Sequence, residues 1–238
     1  MMLKNDPFGA ALLDYFNCRL RLSKIQVFCD VSGDEIIRPA YLFRGHKKMP
    51  ALEKQALQMC RGKVLDVGAC AGSHSLYLQQ NGFDVTALDI SEGCCSVMEK
   101  RGIEKVVCTN FFDYSGETFD TILFLMNGIG ICGTIDRMPF LLGHCRKLLN
   151  PGGQIIFDSS DIDYIYYEKD GSKWINLNSN YYGEVNYKLH YKKVTGKTFS
   201  WVFVDAETMK KNAEEAQFSF NKIADGPHYD YLGVLNPK

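Results

Sequence analysis

No window of this 238-residue chain approaches the roughly 18 apolar residues that a membrane-spanning helix needs. The opening residues, Met1-Met2-Leu3-Lys4-Asn5-Asp6-Pro7, lack the apolar stretch of a secretory leader. These two absences set the expectation of a cytoplasmic protein with no membrane partner. An excess of one charge sign is also missing: 27 Lys and Arg face 28 Asp and Glu, a formal net charge of -1. A general nucleic-acid binder would carry a basic surplus, so the balance argues against that class. The modestly basic stretch before Val64 (Arg19, Arg21, Lys24, Arg38, Arg44, Lys47, Lys48 against Asp14, Asp30, Asp34, Glu35) is read as a solvated face. The nine cysteines form no C-x-x-C pair, and none follows Cys145. An odd, scattered set of this kind is not a disulfide framework and suits reduced thiols used as small apolar residues. The five histidines have no zinc-like spacing to the cysteines, so no metal site is expected. Internal repeats and low-complexity tracts are lacking too.

What is present is a change of texture at Lys63. Before it, Asp6 to Leu22 has the apolar spacing of a helix (Phe8, Leu12, Leu13, Tyr15, Phe16). Ile25–Phe28 and Ile36–Phe43 read as two strands around Ser32-Gly33-Asp34, with Pro39 placing the second at an edge. Pro50 is expected at the first position of a helix that ends at Gly62. From Lys63 strands and helices alternate. Val64–Val67, Val85–Ile90, Val106–Thr109, Phe119–Met126 and Gln154–Phe157 are the strands; Ser73–Gln80, a helix capped by Ser91, and Asp136–Leu149 lie between them. Alternation of this kind gives βαβ units and a parallel sheet with helices on both faces. After Asp161 the chain is rich in Tyr, Lys and Asn. Val185–Tyr191 and Phe199–Phe203 read as a hairpin turning at Thr195-Gly196-Lys197. Ala206–Gln217 is expected to be a helix, followed by a strand pair, Phe218–Ile223 and Tyr231–Leu235. The expected organisation is an N-terminal lobe (1–62) and a doubly wound, mostly parallel seven-stranded α/β domain (63–238), with an inserted β-rich lid at about 162–204.

Chemistry concentrates in Val64-Leu65-Asp66-Val67-Gly68-Ala69-Cys70-Ala71-Gly72-Ser73, a strand running through a small-residue loop into a helix. Gly68 and Gly72 allow a sharp turn and a close approach of backbone to ligand. Asp89 ends the next strand, at about the 20-residue spacing from the first glycine that suits an acid accepting hydrogen bonds from ribose. A ribose-bearing ligand over the carboxyl ends of the strands follows. A dinucleotide would need G-x-G-x-x-G for its pyrophosphate. Here Cys70 takes the middle glycine position, and Asp66 puts a carboxylate two residues before the loop. An acid is unfavourable beside a pyrophosphate and favourable beside a ligand carrying an ammonium and a sulfonium, so S-adenosylmethionine is preferred to NAD.

These residues resemble the class I S-adenosylmethionine-dependent methyltransferases, from about Lys63 to Asp161 and more weakly from Ala206 onward. Val64–Gly72 is similar to the family's first motif, whose backbone (Gly68, Ala69, Cys70, Gly72) would hold the methionine portion. Ala87-Leu88-Asp89-Ile90-Ser91 is similar to the second motif, with Asp89 on ribose and Ile90 beside it. Asn110-Phe111-Phe112-Asp113 resembles the third, where Asn110 would meet the adenine amino group. Phe119-Asp120-Thr121-Ile122-Leu123 through Met126 and Asn127 resembles the fourth, lining the methyl donor. Leu148–Gly153 resembles the turn before the fifth strand. The resemblance also makes Arg44, in Tyr41-Leu42-Phe43-Arg44, a candidate for the methionine carboxylate, with Tyr41 near the acceptor; a surface arginine is the alternative.

Methyl transfer from a sulfonium needs alignment and exclusion of water more than a dedicated catalyst. The catalytic residue is therefore left unknown. Asp158, His228 and Tyr229 are expected on the carboxyl rim, where Asp158 or His228 could act as a base or anchor an amine; a loop anchor and a turn residue are the plainer readings. His74 is read as a helix-face residue. Tyr164, Tyr166, Tyr167, Trp174, Tyr181 and Tyr182 could cage an apolar or cationic acceptor or simply pack the hairpin. The expected partner is a small-molecule acceptor, and the protein a monomer or homodimer. An RNA or protein acceptor and a non-catalytic S-adenosylmethionine sensor stay open. Base-directed motifs are missing: Met126-Asn127-Gly128-Ile129 has no N/D-P-P-Y pattern, and the chain has no Pro-Cys dipeptide.

Overall fold

The computed structural model describes residues 5–18, 23–167, 170, 172 and 181–238. Expectations for 19–22 (the last turn of the first helix, with Arg19 and Arg21) and for Trp174 lie outside the described residues.

The chain opens with helix α1 (Pro7–Cys18), which starts where Asp6 Oδ1 accepts the Gly9 amide at 2.8 Å. Strands β1 (Ile25–Cys29) and β2 (Glu35–Ile37) pair antiparallel. The second strand is much shorter than Ile36–Phe43: Pro39 begins a four-residue helix, α2 (Pro39–Leu42), because its fixed φ suits the first helical position better than a ladder it cannot donate to. Helix α3 (Ala51–Met59) is capped by Pro50 rather than containing it, and it ends before Cys60.

Next come β3 (Val64–Val67), α4 (Ser73–Gln80), β4 (Val85–Asp89), α5 (Glu92–Lys100), β5 (Lys105–Cys108), β6 (Phe119–Phe124), α6 (Met138–Leu148) and β7 (Leu149–Ser160). Ser91 caps α5 by accepting the Cys94 amide at 3.1 Å. Strand β7 extends well beyond Gln154–Phe157, so Asp158, Ser159 and Ser160 belong to the strand instead of leaving it. Its far end stays in the ladder because the last strand of the chain runs beside it, pairing Leu232 with Asp158 and Asp230 with Ser160.

The last elements are β8 (Glu184–Tyr191), β9 (Val194–Thr195), β10 (Phe199–Val202), α7 (Ala206–Glu215), β11 (Phe218–Asp225) and β12 (Asp230–Pro237). The hairpin turns at Lys192-Lys193, not at Thr195-Gly196-Lys197. Lys192 takes the left-handed φ of 53°, and Thr195 already pairs with His190. Gly196 instead sits where the returning strand breaks its ladder, its amide still bonded to Leu189 O at 2.9 Å.

The main sheet has seven strands in the order β11-β12-β7-β6-β3-β4-β5. β7, β6, β3, β4 and β5 are parallel, and β12 and β11 add antiparallel pairings at one edge. The strand order reverses between β3 and β6, which opens a crevice at their carboxyl ends. Both faces of these strands are covered: Leu65, Val67, Phe119, Ile122, Phe124, Ile155 and Phe157 are buried in one cluster with α6 and α7 residues, and Val64, Val85, Leu123 and Ile156 in another with Leu52, Ala56 and Leu57 of α3. This explains their near-continuous apolar sequence.

A second sheet is wholly antiparallel, β10-β8-β1-β2, with β9 also on β8. The strands of 1–62 and those of the inserted segment thus form one structure, joined where β1 pairs with β8. Its alternation is plain in β1: Ile25, Val27 and Cys29 face in, Gln26 and Phe28 face out. The sheet is pinned to the main one at the turn after β6, where Trp201 Nε1 donates to Asn127 O at 3.1 Å.

Candidate functional site

The loop after β3 carries three left-handed residues, Gly68 (φ 71°), Cys70 (φ 57°) and Gly72 (φ 74°). Their side-chain needs differ. A Cβ on Gly72 would lie 2.1 Å from Ile103 Cδ1 and 3.0 Å from Met98 Cγ, so this glycine lets α4 pack closely. A Cβ on Gly68 would meet nothing within 4 Å. Gly68 therefore presents bare backbone to open space at the crevice, the cradle a bound ligand would fill. The amides of Gly68 and Ala69 both donate to Leu88 O, at 2.8 and 3.0 Å, which fixes the loop against the end of β4.

Asp89 stands at that end. Its Oδ2 accepts the Cys70 amide at 2.8 Å and its Oδ1 the Ser91 amide at 2.9 Å. Burial pushes its carboxyl up to about 6; the Ser91 and Cys70 amides pull the other way, and the negative charges of Asp6 and Asp66 add to the rise. Ile90 beside it is exposed. Asp66 lies deeper, with the Ser75 hydroxyl as its donor. Its carboxyl is also raised by burial, against the opposing influence of His74 and Ser75.

Along the N-terminal side runs a buried chain of charges that the sequence did not announce. The Arg44 guanidinium pairs with Glu53, whose other oxygen lies 2.9 Å from His74 Nε2. Arg44 also donates to Tyr41 O at 2.9 Å and stacks over the Tyr41 ring at 4.0 Å. Burial works against the Glu53 charge, yet His74 and Arg44 together hold its carboxyl below the usual value. Arg44 is thus neither a surface residue nor idle: it is 6% exposed and carries a protein carboxylate, while its Nε has no hydrogen-bond partner among the described residues. His74, in the first turn of α4, is buried with its ring nitrogen on Glu53. One signal could have found Glu53: it shares a helix face with Ala56 and Leu57, at i+3 and i+4, both buried.

On the other side of the crevice, Asn110 Oδ1 accepts the Phe112 amide at 3.0 Å. Phe111 is buried, and Phe112 stacks on Phe140 at 5.2 Å. Thr109 N donates to Asp89 O at 3.0 Å, which ties the two loops together. Met126 and Asn127, after β6, are both left-handed, with φ of 59° and 58°. The Asn127 amide donates to Asp158 Oδ1 at 3.1 Å, and its own side-chain oxygen is buried with no hydrogen-bond partner among the described residues. Burial pushes the Asp158 carboxyl up to about 7, against the Asn127 amide and with the Glu53 charge.

The structure thus gathers Gly68, Ala69, Cys70, Gly72, Asp89, Ile90, Asn110, Phe111, Phe112, Met126, Asn127 and Asp158 around the switch point. Arg44 and Tyr41 stand on the α2 side. His228 and Tyr229 share the rim but sit farther out, in the β11–β12 turn; His228 is exposed, and its amide donates to Asp230 Oδ1 at 2.8 Å. Of the expected aromatic cage, Tyr166, Tyr181 and Tyr182 are tethered through their hydroxyls to Tyr182 O, Asp205 and Asp161 respectively. Among the described residues no group of three or more His, Cys, Asp or Glu could hold a metal ion, and no helix is long and apolar enough to cross a membrane.

A family described as "Methyltransferase domain" matches residues 37–218. Among solved structures, the chain is similar to an S-adenosylmethionine-dependent methyltransferase from Bacteroides fragilis in complex with S-adenosyl-L-homocysteine, at 39% identity and a TM-score of 0.92, covering 99% of this chain and 96% of that one. It shares the fold of the DhpI-SAM-HEP complex (18% identity, TM-score 0.60, 78% and 84% covered). It shares it also with the sugar N-methyltransferase KedS8 from Streptoalloteichus sp. (15%, 0.56, 84% and 92%). No curated protein matches the chain.

Proposed function

Because this chain belongs to the S-adenosylmethionine-dependent methyltransferases, we propose that it methylates a small-molecule acceptor at the carboxyl rim of its main sheet. The observation that carries this reading is the Gly68 cradle beside the Asp89 carboxylate, at the neighbouring carboxyl ends of β3 and β4. The donor supplies a methyl carbon on a sulfonium: the acceptor's lone pair bonds to that carbon as the carbon–sulfur bond breaks onto sulfur, and uncharged thioether leaves.

The chain's own residues hold and dry this geometry. Asp89 accepts from the ribose hydroxyls, and the backbone of Gly68 to Gly72 approaches the methionine portion. Asn110 meets the adenine edge, with Phe111 and Phe112 packing beside it. The free Nε of Arg44 supports a carboxylate contact there, made without breaking the Glu53 pair. Met126 and Asn127 line the donor's reacting end. Asp158, whose carboxyl titrates at about 7, suits a group that takes a proton from the acceptor near neutral pH. The near-neutral net charge supports a small-molecule acceptor over RNA. The nine free thiols support a reducing, cytoplasmic setting.

Calorimetric titration with S-adenosylhomocysteine, with NADH in parallel, tests the reading. Micromolar binding of the first alone is expected, and Asp89→Ala is expected to weaken it at least tenfold. Binding of NADH alone would overturn it, and an Asp89→Ala affinity within a factor of two of the parent would remove Asp89 from the ribose.

A further inference from the structure

The buried charges beside the donor crevice gather on one face of the main sheet. Side chains alternate along a strand, so Asp66 shares a face with Val64 and Asp158 with Ile156. Val64 and Ile156 pack with Leu52, Ala56 and Leu57 of α3 and with Leu78 of α4. Glu53 lies on the Ala56 and Leu57 side of α3, and His74 lies one turn before Leu78 on α4. The two side chains therefore meet over the face that carries Asp66 and Asp158. Arg44, Glu53, Asp66 and His74 are all buried, whereas Asp158 keeps part of its surface at the carboxyl rim.

Glu53 has no spare oxygen: Oε1 takes the Arg44 guanidinium and Oε2 lies 2.9 Å from His74 Nε2. A carboxylate only accepts hydrogen bonds, and His74 and Arg44 hold Glu53 as one against its burial. The shared proton therefore sits on Nε2 in either charge state of the ring, which leaves Nδ1 as the nitrogen that gains or loses a proton. Asp158 answers to both members of the pair. Burial raises its carboxyl and the Asn127 amide opposes the rise; the Glu53 charge adds to it and the His74 charge opposes it. The other ionisable groups on this face and its edges are accounted for. Burial raises the Asp66 carboxyl, against His74 and Ser75, and burial with the Asp66 charge pushes the Cys60 thiol up to about 12. Arg44 is committed to Glu53, and burial keeps the Tyr231 phenol of β12 protonated, with the Asp158 charge adding to that effect. A proton gained or lost at Nδ1 thus switches the charge that Asp158 feels.

We propose that Glu53 and His74 are positioning residues for methyl transfer that act through Asp158: Glu53 fixes the imidazole, and the imidazole's charge decides when Asp158 can take a proton. The inference rests on the methyltransferase reading and deepens it. A base governed in this way serves an acceptor whose reacting atom carries a proton, an amine nitrogen or a hydroxyl oxygen, and is of no use to a thioether sulfur. The lone pair of that atom bonds to the methyl carbon, the carbon–sulfur electrons go to sulfur, and the acceptor's proton goes to Asp158.

NMR on the full chain saturated with S-adenosylhomocysteine tests this. With isotope-labelled histidine, the neutral His74 ring is expected to carry its proton on Nε2; a proton on Nδ1 overturns the proposal without any substitution. With isotope-labelled aspartate, and Asp158→Asn as the assignment control, the Asp158 carboxyl should titrate at about 7. His74→Gln keeps a donor for Glu53 but removes the imidazole charge, so the Asp158 midpoint should rise by about half a pH unit or more. Glu53→Gln removes the negative charge and leaves Arg44 uncompensated, so the midpoint should fall by about as much. Charge requires opposite signs, whereas loosened packing would move both variants the same way. Shifts of one sign, or no shift in either variant, overturn the proposal alone. Failure of S-adenosylhomocysteine to bind the parent would overturn the methyltransferase reading beneath it, so the two failures are distinguishable.

Discussion

The main sheet and the antiparallel sheet over its rim hold their side chains in place in opposite ways. In the main sheet the donor-side residues lie at strand ends, held by backbone amides within a few loops: Cys70 and Ser91 on Asp89, Phe112 on Asn110, Asn127 on Asp158. Side chains there are set by local chain geometry. In the covering sheet, placement comes from long-range tethers: Trp201 on Asn127, Tyr182 on Asp161, Asn186 on Asp30. Under the proposed function, a donor common to many enzymes is met by the fixed frame, and the tethered cover can vary without disturbing it.

Four experiments would break or sharpen this contrast. The largest effect is expected inside the frame. Gly72→Ala forces a Cβ into Ile103 at a left-handed φ and should lower stability by about 2–4 kcal/mol in urea unfolding. Gly68→Ala, with open space around it, should cost only about 1 kcal/mol. It should nonetheless weaken S-adenosylhomocysteine at least tenfold, separating the packing glycine from the cradle glycine. Next is the joint between the sheets. Gly130→Ala places a Cβ 2.3 Å from Trp201 Nε1 and should cost about 1–3 kcal/mol, with a shift in tryptophan fluorescence. Donor affinity should stay within threefold; a larger loss would mean that frame and cover are not separable.

A smaller effect is expected from pH. Asp89 titrates at about 6 in the fold against 3.8 for an ordinary aspartate, and ribose needs it ionised. Affinity for S-adenosylhomocysteine should fall about tenfold from pH 7.5 to pH 5, and Asp89→Asn should flatten that slope. The sign for stability is the reverse. The folded state binds the Asp89 proton more tightly than the unfolded state, so this residue's contribution to stability falls as pH rises from about 4 to 6. Smallest of all, Lys192→Ala removes an exposed pair with Asp14 and should move the Tm by about 1 °C or less.

The same contrast decides what was legible in the sequence. The strand–loop–helix unit around Gly68 and the strand ending at Asp89 are local patterns, and their residues meet because βαβ geometry leaves little choice. The α6 and α7 helices and the β11–β12 pair followed from periodicity and turn residues in the same way. Pro39 misled because an edge strand and a helix start both tolerate proline, and only the packing of Leu42 beneath Ser73, whose hydroxyl donates to Leu42 O at 2.7 Å, selects the helix. The hairpin turn was misplaced because Thr195-Gly196-Lys197 has better turn chemistry than Lys192-Lys193. The register of β8 against β1 overrides that local preference. Glu53 went unseen as a site residue because its partners, Arg44 and His74, lie in other elements.

The pairing of β1 with β8 carries a consequence in time. Asp30 and Asn186 bond at 2.8 Å across 156 positions of chain. During synthesis, at about 5–20 residues per second, β1 waits on the order of 10–30 s for its partner strand. Closing so long a loop also makes this one of the slower contacts to form. The amino-terminal strands therefore stand beside a nearly complete parallel sheet with an open edge, and whatever holds that edge quiet in the interval matters as much to the yield of working enzyme as any residue in the finished site.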